Sequence, residues 1–180
     1  MSKVNLAWLY AITKYGYPPS IDDVHRAIDD AKRLGFKAME LEVYGERNLK
    51  EFEERKKEIK DHISLEGLKV VNLAGIFRDL ITEDQSTRVP QGFSWERFWK
   101  NLVVSMKQCS LIAKDHGLTF SIEPRVGETI SNSDAMLWLI KEVSEDNFGA
   151  VLDAGHLHAA KELLPLSVEK LGEHIVYVHL

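Results

Sequence analysis

Three residues able to hold a cation close three successive apolar segments. Glu123 ends Leu118–Glu123, Asp153 ends Phe148–Asp153, and His179 lies at the end of Ile175–Leu180, so they fall about 25 to 30 residues apart. That interval is one strand plus one helix and its links. If the segments are neighbouring parallel strands, two carboxylates and an imidazole project toward one point at their carboxyl ends, where such sheets do their ligand chemistry. Oxygen and nitrogen donors in this mixture suit Mn²⁺, Mg²⁺, Co²⁺, Fe²⁺ or Zn²⁺. Any one of the three has a plainer use, capping the following helix or pairing with Arg125. Their recurrence in consecutive units is what argues for a metal.

The elements that must position these groups are legible from periodicity. Six short apolar runs (Asn5–Ala11, Ala38–Tyr44, Lys69–Phe77, Leu118–Glu123, Phe148–Asp153 and Ile175–Leu180) read as strands. Five amphipathic patterns alternate with them. The first begins at Ser20, with Asp23 three residues on as a capping pair, and ends at Gly35. The second covers Asn48–Glu66 before Gly67, and its charges form a solvated face. The third begins at Ser94 and ends at Gly117, with Trp95, Phe98, Trp99, Leu102 and Met106 as a packing face. The others are Asp134–Glu145, after Ser131–Ser133, and Ala159–Leu171. Near-continuous apolar strands are those buried on both faces, as in parallel sheets. Alternation of strand and helix over one chain of 180 residues predicts a single α/β domain, 1–180, with a parallel sheet. A long loop, Arg78 to Phe93, interrupts the alternation.

Other polar residues near the strand ends are candidates for substrate contact. His156 and His158 follow Asp153 closely, so that one faces the pocket and the other packs or meets solvent. Arg125 and Glu128 follow Glu123 and could take hydroxyls or a phosphate, or pair with each other. Asn72, inside an apolar strand, needs hydrogen-bond partners wherever it lies, in a pocket lining or in the scaffold. Glu40 and Glu42 point to one side of their strand. His25, His62, His116 and His174 read as surface residues. Cys109, in the pattern Met106, Cys109, Ile112, Ala113, reads as core.

The run Phe120–Glu128 (FSIEPRVGE), then Phe148–Glu162 (FGAVLDAGHLHAAKE), then Ile175–Leu180 (IVYVHL) resembles the xylose isomerase-like TIM-barrel superfamily. Gly35–Gly45 (GFKAMELEVYG) resembles its second strand. That group contains sugar isomerases and epimerases, and also endonuclease IV-type apurinic endonucleases. The resemblance implies a metal held by Glu123, Asp153 and His179, with Glu123 doubling as acid/base at carbon and His156 touching substrate. It also implies two departures. A family helix and strand are missing between Arg78 and Ser94, where the chain has only a loop around Arg88-Val89-Pro90. The pattern stops at the seventh family strand, before the eighth and its metal-binding Glu. The expectation is an incomplete barrel of about six βα units, against roughly 250 residues for a full one. It would be a shortened chain or one completed by another copy.

Composition narrows the partners. A net charge of −5 disfavours a nucleic-acid backbone. One cysteine excludes an intramolecular disulfide and fits a reducing, cytoplasmic setting. No apolar run approaches a membrane span, and no signal peptide is visible. The expected activity is therefore a metal-dependent (Mn²⁺, Mg²⁺, Co²⁺ or Zn²⁺) sugar or sugar-phosphate isomerase/epimerase. Glu123 would remove a proton beside a carbonyl to give an enediolate. The rivals are an apurinic-endonuclease-type phosphodiesterase, which would need histidines at the early strand ends where Tyr10, Tyr44 and Phe77 stand, and an inactive fragment or binding module.

Overall fold

The computed structural model describes residues 4–76 and 92–180. The end of the third expected strand, at Phe77, and the expected loop around Arg88 lie outside the described residues, as does any family element replaced by that loop. The chain divides into two compact units, Met1–Thr87 and Arg88–Leu180.

In the first unit the order is α1 (Leu9–Tyr15), α2 (Ile21–Arg33), β1 (Ala38–Tyr44), α3 (Gly45–Leu65) and β2 (Lys69–Ile76). β1 and β2 pair in parallel, with Glu40 opposite Asn72. The expected first strand, Asn5–Ala11, is a correction. Only Leu6 pairs with the sheet, through a parallel bridge to Met39, and the chain then turns into α1. Leu, Ala and Lys are strong helix formers, and the helical register buries Trp8 and Ala11 together in the core. Ser20 caps α2 through a reciprocal capping box with Asp23, as its spacing predicts. The face of α2 bearing Val24, Ala27, Ile28 and Ala31 packs with Met39, Leu41 and Val43 of β1 and with Phe52, Ile59 and Ile63 of α3. Full burial of each Val, Ile, Leu, Met or Phe side chain here is worth about 1.5–3 kcal/mol over leaving it exposed.

The second unit runs α4 (Trp95–Asp115), β3 (Phe120–Ile122), α5 (Ser133–Val143), β4 (Phe148–Asp153), α6 (Ala154–Ala159), α7 (Leu164–Leu171) and β5 (Ile175–His179). Its three strands are parallel in the order β3-β4-β5, so β4 is central. β4 is buried along Phe148–Leu152, as a strand flanked on both sides and covered on both faces should be. β5 alternates between half-buried and exposed, and β2 in the first unit exposes Val71 and Leu73, so full two-sided burial does not extend to every strand. The chain is thus mixed α/β with parallel strands throughout the described residues.

Two further expectations change in this unit. The helix expected over Ala159–Leu171 begins only at Leu164, and a separate helix, α6, ends at Ala159 before it. Asp153 caps α6 immediately, Lys161 takes a left-handed conformation, and Pro165 sits in the first turn of α7, where its missing N–H costs nothing. Cys109 is exposed rather than core, because α4 buries the stripe of Trp99, Leu102, Val103 and Met106 and turns Cys109 and Ile112 outward. Trp99 itself is buried and stacks on Trp138 with ring centroids 4.3 Å apart. Among the described residues no helix is long and apolar enough to cross a membrane.

Gly149 sets the spacing of β4 and β5. A Cβ there would lie 2.6 Å from Val176 Cγ1 and 2.7 Å from the His174 carbonyl oxygen. The carbonyl belongs to the backbone and cannot swing aside. Gly149→Ala is therefore expected to cost about 2–3 kcal/mol as overpacking, read as a lower urea midpoint at unchanged m-value.

Candidate metal centre

The sheet brings the three expected ligands together. Side chains alternate along a strand. Phe148, Ala150 and Leu152 of β4 enter the core, and Asp153 follows them onto the other side at the strand's carboxyl end. It stands directly opposite His179 in the β4–β5 register. Glu123 follows the last residue of β3, fixed by the fully buried Pro124 behind it. His179 Nδ1 lies 2.6 Å from Glu123 Oε1 and 3.7 Å from Asp153 Oδ2. The Glu123 and Asp153 side chains are each 22% exposed, so the group is reachable from solvent but largely removed from it.

His156 completes the cluster. Asp153 Oδ1 accepts the His156 backbone N–H at 2.8 Å as the cap of α6, so one oxygen of this carboxylate does serve the helix. The other faces His179. The same cap brings the His156 ring back, with Nε2 3.9 Å from Glu123 Oε2. Glu123, Asp153 and His156 each offer a ligand atom within 4.8 Å of the other two. His156 therefore stands at ligand distance, beyond the substrate contact expected of it. The signal is present in the sequence as an Asp N-cap with His at the third helical position. His158 is exposed.

The remaining candidates divide. Arg125 directs Nε toward Glu123 Oε2 at 3.7 Å. The following turn is closed by the Glu128 N–H donating to the Arg125 carbonyl, and it leaves the Glu128 side chain exposed. Asn72 belongs to the other unit. There it donates to Glu40 Oε1 at 3.2 Å, while the Trp8 N–H donates to Glu40 Oε2 at 3.2 Å. Asn72 thus satisfies a buried carboxylate that ties β2 and the Leu6–Trp8 segment to β1. On the same strand as Glu40, Glu42 hydrogen-bonds Tyr44, whose phenol is pushed well above its ordinary range, first by burial and then by that carboxylate.

Parallel strands whose carboxyl ends converge two acids and two imidazoles define an α/β protein with a candidate divalent-metal centre. A family model for the xylose isomerase-like TIM barrel matches residues 86–180, more than half of the chain, and the chain belongs to that family. No curated protein matches its sequence. Solved structures do match it. D-psicose 3-epimerase from Clostridium cellulolyticum, determined with D-tagatose, aligns at 14% identity and TM-score 0.76 over 99% of this chain and 72% of that one. An AP endonuclease, family 2, from Brucella melitensis aligns at 15% identity and TM-score 0.75 over 99% and 78%. The 3-keto-D-glucoside 4-epimerase of E. coli aligns at 14% identity and TM-score 0.75 over the same shares. At these identities the likeness establishes the fold, with its strands open into separate two- and three-stranded sheets among the described residues.

Proposed function

We propose that the chain is a metal-dependent isomerase or epimerase of a small sugar or sugar phosphate, working by proton transfer at the carbon beside a carbonyl. The observation that carries this reading is the convergence of Glu123, Asp153, His156 and His179 at the ends of three neighbouring parallel strands. The epimerases among the structural neighbours agree with it. The donor set fits a divalent ion. It offers carboxylate oxygens and imidazole nitrogens, partly buried, with the Glu123–His179 contact already at 2.6 Å. Glu123, Asp153 and His179 would hold the ion, with His156 beside them. A bound Mn²⁺, Mg²⁺, Co²⁺ or Zn²⁺ would supply Lewis-acid polarisation of the substrate's carbonyl and hydroxyl oxygens.

The chain's own residues do the rest. Glu123 has two oxygens facing different partners, Oε1 toward His179 and Oε2 toward His156 and Arg125. One oxygen can serve the ion while the other takes the substrate proton and returns it. His156 and Arg125, both facing Glu123 Oε2, would receive hydroxyls or a phosphate, and Glu128 on the following turn would take a hydroxyl.

Deuterium uptake tests the class whichever sugar is the substrate. Ketoses and ketose phosphates are incubated with the chain and Mn²⁺ in D₂O, and label at the carbon beside the carbonyl is read by NMR. Metal-dependent uptake that Asp153→Asn lowers at limiting Mn²⁺ is the expected result. No uptake from any ketose, with Mn²⁺ shown to be bound, would reject the reading. Cleavage of abasic-site DNA in its place would favour the phosphodiesterase.

A further inference from the structure

His179 is useful to the centre only if it presents one particular nitrogen. Its Nδ1 is the atom that faces the two carboxylates, 2.6 Å from Glu123 Oε1 and 3.7 Å from Asp153 Oδ2. An imidazole turns about two side-chain torsions, and a ligand group left loose in them holds an ion poorly. The other two ligands are braced from behind. Asp153 caps α6, and Glu123 precedes the fully buried Pro124. His179 has less around it. Among the described residues β5 is an edge of its sheet, and the His179 side chain is 31% exposed. What holds its ring is therefore to be sought on β5 itself.

Tyr177 stands in that place. Side chains two residues apart on a strand share a face. Along β5, half-buried Tyr177 and His179 alternate with exposed Val176 and Val178. In the register with β4, His179 is opposite Asp153 and Tyr177 is opposite Val151, which is buried. The Val151–Tyr177 pair is thus the layer beneath the Asp153–His179 pair. The Tyr177 and His179 rings meet with centroids 5.5 Å apart and planes at 85°. This is the edge-to-face arrangement, in which the positive edge of one ring meets the negative face of the other. It resists tilting of the imidazole plane, while the bond to Glu123 selects the nitrogen that faces inward.

We infer that Tyr177 is a positioning residue of this centre: its ring fixes the plane of the His179 imidazole so that Nδ1 is aimed at Glu123 and Asp153 before any ion arrives. The use of this arrangement rests on the metal-dependent reading above, but the ring contact itself needs no ion. Partners that orient a ligating histidine contribute to metal affinity without touching the metal. The aromatic ring carries the effect and the phenol oxygen does not. Phenylalanine should therefore serve in place of tyrosine, and leucine, apolar but without a ring, should not.

Two measurements on the full chain test this, in wild type, Tyr177→Phe and Tyr177→Leu. The first is made without metal. The proton on His179 Nδ1, held against Glu123, is followed by NMR and assigned by its absence from His179→Gln. It is expected to be protected from solvent exchange in the wild type and in Tyr177→Phe, and to broaden away in Tyr177→Leu while the amide resonances of β3 and β4 stay in place. The second is Mn²⁺ affinity, read from the electron paramagnetic resonance of the free ion. It should fall by about 3- to 10-fold in Tyr177→Leu, the worth of an edge-to-face pair, and hold within about 2-fold in Tyr177→Phe. A proton equally protected in all three forms, or unprotected already in the wild type, would overturn the role. So would equal losses in Tyr177→Phe and Tyr177→Leu, which would assign the effect to the hydroxyl. Mn²⁺ bound alike by all three would overturn it and leave the metal reading standing. A wild type that binds no Mn²⁺, with its proton lost only in Tyr177→Leu, would uphold the hold of Tyr177 on the ring and count against the metal reading.

Discussion

In Glu123→Gln, uptake of solvent deuterium by substrate is expected to fall by about 10²- to 10⁴-fold, the range a positioned general base contributes. The amide has the shape of the carboxylate, so the packing of Pro124 behind it and the contact with His179 on β5 are retained. What disappears is the second basic oxygen, on the side facing Arg125 and His156. Glu123 is also assigned to the ion, and the two roles separate by titration. A defect in ion binding is recovered at high Mn²⁺, whereas the loss of a base persists at saturation. Asp153→Asn is the control. Its deficit should shrink as Mn²⁺ is raised, because Asp153, which caps α6, would on this proposal hold the ion and take no proton. Measured at saturating Mn²⁺ with a ketose the wild type processes, an unchanged exchange rate in Glu123→Gln would remove the residue from the chemistry.

The strands of this site are readable because their apolar runs are short and end abruptly in a charge. β4 matches its apolar run at Phe148–Asp153 and β1 at Ala38–Tyr44, and the capping residues Ser20 and Ser94 fix two helix starts. Failures come where local pattern and tertiary context compete. Asn5–Ala11 is apolar enough for a strand, but only Leu6 finds a sheet partner, and the helix buries Trp8 and Ala11 better. Cys109 follows helical spacing from Met106, yet at 100° per residue it falls just outside the stripe that Trp99, Leu102 and Met106 bury. The place of His156 depends on which way a six-residue helix leaves Asp153, something spacing alone suggests but does not orient. His25 and His62 are half-buried rather than plain surface residues. Their contact joins residues 37 positions apart on two helices, and no periodicity within either helix reports it.

Asp30→Ala is expected to lower the stability of the Met1–Thr87 unit by about 2–3 kcal/mol, toward the low end for breaking a buried ion pair because its cationic partners reach solvent. Asp30 is buried on α2, and it accepts from Tyr10 Oη at 2.9 Å, Tyr15 Oη at 2.5 Å and Arg33 Nη2 at 2.6 Å, besides pairing with Lys14. These donors tie α1 to α2, so their loss should appear as faster amide exchange over Leu9–Tyr15 and Ile21–Arg33. The ion pair with Lys14, followed by the bonds from Tyr15 and Arg33, holds the Asp30 carboxyl well below the ordinary carboxylate range. A depressed folded-state value means that the unfolded chain binds the proton more readily. The contribution is therefore complete above about pH 5 and is lost as the pH falls through the unfolded value near 4 toward the folded one. The same carboxylate raises Lys14 above its ordinary value, so at the alkaline end the pair's contribution is lost only as the pH rises above the ordinary lysine range. Urea midpoints measured from pH 7 down to pH 3 should thus fall more steeply in the wild type than in Asp30→Ala, the two curves converging at the acid end. Parallel curves would mean that the Asp30 carboxyl takes up its proton alike in the folded and unfolded chain.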